Sequence, residues 1–222
     1  MFEQLDPHLA EILAFLQGDT HLGILLAAQM GGTPQELQLI IQLTDHLEDQ
    51  EGQFRVRSQH VVRCIGVVEH KLALGFFARM VHSASNALLY PHNEKTYRLI
   101  YHGQVVGSLD SLMLDLNQLY GQTYGLYEPT RRMVEELNHA APLATLLSEG
   151  AGILGQMPEP FARKAAALLE RYGLGTELVE LPSENEQDEH HKHLPPIKRQ
   201  ALVIDDSYIV AHFFTADPMG KK

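Results

Sequence analysis

KLALGFFARMV, running from Lys71 to Val81, is the stretch on which the fold class turns. Leu72, Leu74, Phe76, Ala78 and Met80 fall on one side, and Lys71, Ala73, Gly75, Phe77 and Arg79 on the other. That is the period of two residues of a β-strand, not the 3.6 of a helix. Working outward, His60 to Val68 is rich in β-branched residues, with Glu69-His70 readable as a turn. Turn-forming clusters follow at Ser83 to Asn86 and Pro91 to Asn93. Thr96 to Tyr101 and Gln104 to Val106 then flank His102-Gly103, a composition suited to a two-residue hairpin turn. The spacing predicts an antiparallel meander of four or five strands over residues 53–107.

On the N-terminal side, Asp6-Pro7 offers a cap and a first-turn proline to a helix carrying Leu9, Ile12, Leu13 and Leu16. Thr33-Pro34-Gln35-Glu36 has the form of a capping box, and Leu37, Ile40, Ile41 and Leu47 share one helical face behind it, predicting a helix over 34–49. The apolar run from Ile24 to Ala28 fits a short buried helix or a buried strand, and the helix is taken. Residues 1–52 therefore read as a helical N-terminal part.

After the meander, Ser108 caps an apolar stripe ending at Gly121, Thr130 a second helix, Pro142 a short third, and Pro160 a fourth that stops at Gly173. Leu178 to Leu181 reads as a short strand, so 108–181 is mainly helical. Residues 182–197, which include PSENEQDEHHKHLPP, form a flexible acidic and His-rich loop. Ala201 to Phe214 closes the chain as a β-hairpin around Asp205-Asp206-Ser207 that joins the central sheet. The expectation is one α+β domain spanning 1–222: N-terminal helices, central antiparallel meander, second helical segment, C-terminal hairpin in residues 198–216.

Composition narrows the function classes. With 28 acidic against 17 basic residues and a net charge of −11, the chain would repel a phosphate backbone, and nucleic acid is set aside as a partner. No apolar run approaches the ~18 residues of a membrane span, and no basic leader precedes the first apolar stretch. A single cysteine, Cys64, cannot form an internal disulfide and suits a reducing compartment, so a cytoplasmic protein is expected.

No P-loop, dinucleotide fingerprint, nucleophile elbow, HExxH or CxxC sequence occurs, and no cofactor is expected. His60, His82, Asp206 and His212 are the candidates for an acid–base site between the central sheet and the C-terminal hairpin. Gly31, Gly32 and Thr33 are candidates for anion binding, because free N–H groups at a helix start attract anions. His190, His191 and His193 supply metal-ligating imidazoles, though nothing apolar anchors them as a rigid site requires. Asp45, Glu48, Asp49 and Glu51 read as the solvated acidic end of the 34–49 helix, with a basic docking partner as the other reading. The balance favours a non-catalytic interaction, assembly or regulatory module that self-associates or binds a protein. The alternative is a small-molecule-binding domain or an enzyme with a His/carboxylate site.

Overall fold

The computed structural model describes residues 5–48, 54–125, 137, 142–182 and 198–220. The chain divides into two compact units, Met1–Asn86 with Ile197–Lys222, and Ala87–Pro196. Both are α+β with antiparallel sheets, as the alternation around Lys71 to Val81 implied.

The first unit begins with α1 (Pro7–Phe15), whose cap is Asp6: one carboxylate oxygen accepts the Leu9 N–H at 3.0 Å and the Ala216 N–H at 3.2 Å. Three long strands follow, β1 (His21–Met30), β2 (Glu36–Glu48) and β3 (Phe54–Ile65). After them come the short β4 (Glu69–Lys71), β5 (Gly75–Phe77) and β6 (Met80–Ser83). Numbering the second unit's strands β7 to β9, this unit closes with β10 (Gln200–Ile204), β11 (Ser207–Ala211) and β12 (Phe213–Pro218). One sheet has the order β12-β3-β2-β1-β5 and another β4-β11-β10-β6. Leu39 and Ile41 of β2, Leu9 and Ile12 of α1, and Leu202 and Ile209 of the second sheet meet in one core.

The helix expected over 34–49 is therefore a strand, and so is the expected helix in 21–30. The same residues support either period, and tertiary burial selects two: Leu37, Leu39, Ile41 and Leu43 are buried, while Gln38, Ile40 and Gln42 between them are not. Thr33 and Glu36 still pair, but as a hairpin-loop tie in which the Thr33 hydroxyl donates to the Glu36 carboxylate at 3.0 Å. Within 1–52, only α1 is helical among the described residues.

The Lys71 to Val81 segment is likewise not one continuous strand. β4 and β6 belong to one sheet and β5 to the other, so the chain changes sheets twice within it. Gly75 adopts φ 131°, and the Asp205 carboxylate takes the N–H groups of Ala78 and Arg79 at 2.9 and 3.0 Å, ending β5. Leu74 and Phe76 are exposed in consequence, while Phe77 and Met80 are buried. The C-terminal hairpin forms as expected, Ile204 facing Ser207 across Asp205-Asp206, and it pairs with strands from the middle of the chain.

The second unit holds the small helix α2 (Tyr90–Asn93), β7 (Thr96–His102), α3 (Leu109–Tyr124), α4 (Leu143–Ser148), β8 (Ala151–Pro158), α5 (Glu159–Arg171) and β9 (Gly175–Glu180). Its sheet has the order β8-β7-β9, and Leu99, Tyr101, Leu116, Tyr120, Phe161 and Leu169 lie in its core. The hairpin expected at His102-Gly103 is absent, because β7 pairs instead with β8 and β9 far along the chain. Ser108 caps α3, which runs through Gly121 and ends at Gly125, where φ is 71°. The helix expected after Thr130 and the loop at 182–197 fall almost wholly outside the described residues.

A pair of substitutions separates the two periods of β2. Truncation to Ala at Ile41, fully buried, should cost about 2–5 kcal/mol, and at the partly buried Ile40 less than half as much. Urea unfolding of both variants checks this, since a helix would turn both side chains inward and equalise their costs.

Candidate functional site

His60 lies on β3 opposite Ile41 and Pro218 and is 6% exposed. Its Nε2 is 2.9 Å from the Ser58 hydroxyl, two residues back on the same strand face, while its Nδ1 is buried without a partner. Burial holds the His60 pKa below the usual histidine value, the nearby His8 adding to the effect and Glu11 opposing it. The ring is therefore neutral at pH 7, with a hydroxyl partner rather than the expected carboxylate.

His82 on β6 places Nε2 2.7 Å from the Gln200 side-chain oxygen, so this nitrogen donates. The Phe214 ring meets it edge-on at 5.8 Å. His212 sits between β11 and β12, its backbone N–H donating to the Ile65 carbonyl at 2.9 Å and its ring packed over Gly66. Burial, with the charge of Arg199, lowers its pKa as well. Asp206 is exposed in the β10–β11 turn, and its neighbour Asp205 makes the contacts to the backbone.

Gly31, Gly32 and Thr33 lie in the loop between β1 and β2, where no helix starts. The Glu36 side chain packs against Gly31, and its carboxylate accepts from Gln38 and Thr33, which lower its pKa. A negative group thus stands where an anion was expected. His190, His191 and His193 lie outside the described residues, and among those described no group of three or more His, Cys, Asp or Glu is placed to hold a metal. Cys64 is buried, and burial pushes its thiol up to about 12, so it is a core side chain and not a thiolate.

The sequence reading missed the polar cluster at the other end of β2. Asp45 is buried and not part of a solvated acidic helix end. Arg57 on β3 clasps it, Nε donating to both carboxylate oxygens at 2.9 Å and Nη2 standing 2.7 Å from Oδ2. His21, opposite Asp45 in register, brings Nε2 to 4.0 Å, donates from Nδ1 to the Phe15 carbonyl at 2.7 Å and stacks on the Phe15 ring. The Arg57 hydrogen bonds hold the Asp45 carboxyl below the usual range. A carboxylate so occupied is no general base. It ties β2 to β3 where their register shifts beside Thr44. The signal for it, His21 facing Asp45, exists only once residues 36–48 are known to be extended.

The remaining feature is an edge. β5 covers β1 only at Gly23, Ile24 and Leu25, a bulge follows between Leu25 and Ala27, and no described strand pairs with the outer side of Leu26 to Met30. Leu26 is 43% and Met30 68% exposed. No ionisable residue lies between Leu22 and Gln35, and none of Leu26 to Met30 is proline. The bulge is itself a device that discourages pairing, and the other sheet edges carry charge, proline or short strands to the same end. β12 ends in Asp217-Pro218, β9 carries Glu177 and Glu180, and β4, β5 and β6 span only three or four residues. β8 contains Gly152 and Gly155, is bridged by Leu137 and ends on Pro158.

A separate groove of about 570 Å³ lies in the second unit between α3 and α5, lined by Asp115, Gln118, Leu119, Gln122, Lys164 and Arg171. Asp115 accepts the Tyr172 hydroxyl there at 2.9 Å. Compared with protein-family models, curated proteins and solved structures, the chain matches none.

The neutral state of His60 has a pH signature. Its folded pKa lies below the unfolded value of about 6.5, so the unfolded chain takes the proton first as pH falls. Stability should be full above about pH 6.5 and decline below it until the folded pKa is reached. His60→Gln should unfold with a shallower dependence between pH 7.5 and 5.5, the remainder reporting His212; an unchanged slope would show that His60 is not the source.

Proposed function

We propose that this chain is a non-catalytic protein-interaction or assembly module that docks through strand pairing. The observation that carries this reading is the uncharged edge of β1 beyond its bulge, from Ala27 to Met30, which no described strand covers. Such an edge holds backbone donors and acceptors ready for another strand, and proteins that remain monomeric ordinarily block it. The histidines support the same reading indirectly: His60 bonds to a hydroxyl, His82 to an amide, and the buried carboxylate Asp45 is engaged by Arg57.

The charge of −11 supports a partner other than nucleic acid, and the lone buried cysteine fits a reducing cytoplasm. No helix among the described residues is long and apolar enough to cross a membrane. A second reading, a small-molecule site, rests on one observation: the buried Nδ1 of His60 has no partner, and a ligand donor would satisfy it.

Native mass spectrometry of the untagged protein, purified gently from its own host, separates the two. Assembly in whole multiples, or with a second polypeptide at fixed ratio, is the expected result. A monomer carrying a discrete small adduct would favour the His60 site, and a bare monomer would count against the interaction reading.

A further inference from the structure

We propose that α1 is an acid-released cover: protonation of His60 beneath it frees the helix from the sheet while the strands of the first unit stay paired. His60 stands opposite the fully buried Ile41, so its ring lies on the face of the sheet against which Leu9 and Ile12 of α1 pack. In the neutral ring one nitrogen bonds to the Ser58 hydroxyl and the other is buried without a partner. A proton turns both nitrogens into donors. The buried charge then has a single hydroxyl to serve it.

The groups around the ring do not make up the difference. On α1, His8 brings a like charge and Glu11 an opposite one, and these two pair with each other at 3.3 Å. Asp6, at the start of the helix, is engaged by the N–H groups of Leu9 and Ala216. β2 sets Ile41 opposite His60 and β12 sets Pro218 there, neither of them ionisable. Asp217 belongs to the other face, where it meets Arg63 at 3.2 Å. A charged His60 must therefore reach water, and α1 is the element that can yield. β3 is held by ladders on both sides, to β2 and to β12. α1 belongs to no ladder. Besides its apolar contacts, the Asp6 bond to Ala216 fastens one end and the His21 bond to the Phe15 carbonyl the other. With nine residues it is too short to hold as a helix alone, so once released it unwinds.

Opening returns His60 to the ordinary histidine value of about 6.5, above the one it has when covered. Closure is thus complete above about pH 6.5, and between the two values the open fraction rises up to about tenfold per pH unit lost. Native-state amide exchange on the full chain tests this. In dilute urea, the amides from Ala10 to Leu16 should exchange through an opening that urea barely alters, while Leu39 and Ile41 of β2 follow global unfolding. Protection of the α1 amides, corrected for intrinsic rates, should fall about threefold or more from about pH 6.5 to about pH 5.5. His60→Gln should abolish that fall, and His60→Leu is the second variant should the amide disturb β3. Exchange of α1 in step with β2 at every urea concentration overturns local release. A fall of the same size in whichever variant is folded overturns His60 as the trigger.

Discussion

β2 is the strand the first unit is built on. It lies between β1 and β3 along almost its whole length, and its alternate residues Leu37, Leu39, Ile41 and Leu43 form the floor against which α1 and the second sheet pack. Shift its register by one residue and Gln38, Ile40 and Gln42 would enter the core while the leucines faced water. The opposite face carries amide pairs from strand to strand, Gln29 with Gln38 and Gln42 with Gln59, which hold that register without charge. At the far end, Asp45 and Arg57 fasten the stretch where β2 and β3 slip out of step. The hairpin β10–β11 and the final strand β12 then close the unit by pairing with strands more than a hundred residues earlier.

Much of this order was legible in the sequence. Asp6-Pro7, Ser108 and Pro160 mark helices that form, and Asp205-Asp206 marks a hairpin that forms, because caps and turns are decided by a few adjacent residues. What failed was β2. TPQELQLIIQL satisfies a helical stripe through Leu37, Ile40 and Ile41, and a strand through Leu37, Leu39 and Ile41, equally well. The choice is made by partners on β1 and β3, which local periodicity does not contain. The sheet change between Lys71 and Val81 was hidden for the same reason: it depends on a carboxylate at Asp205, far along the chain.

The site residues follow the same division. That His60 lies on a strand was readable from its place in a β-branched run, but its burial, its Ser58 partner and the proximity of α1 were not. The anion reading at Gly31 to Thr33 was argued from a helix start, and the chain there is instead the loop between β1 and β2. Asp45 was judged by its acidic neighbours in sequence, whereas its neighbours in space are Arg57 and His21. The β1 edge was invisible from residues alone, since an edge is defined by which strands are missing beside it.

Strand pairing at the β1 edge can be read from amide hydrogen exchange followed as a function of protein concentration. As concentration rises through the range of association, the amides of Leu26 to Met30 should slow, while those of the charge-bearing edges β9 and β12 stay unchanged. Exchange at Leu26 to Met30 that is fast and indifferent to concentration, in a sample that nonetheless associates, would place the contact elsewhere on the molecule.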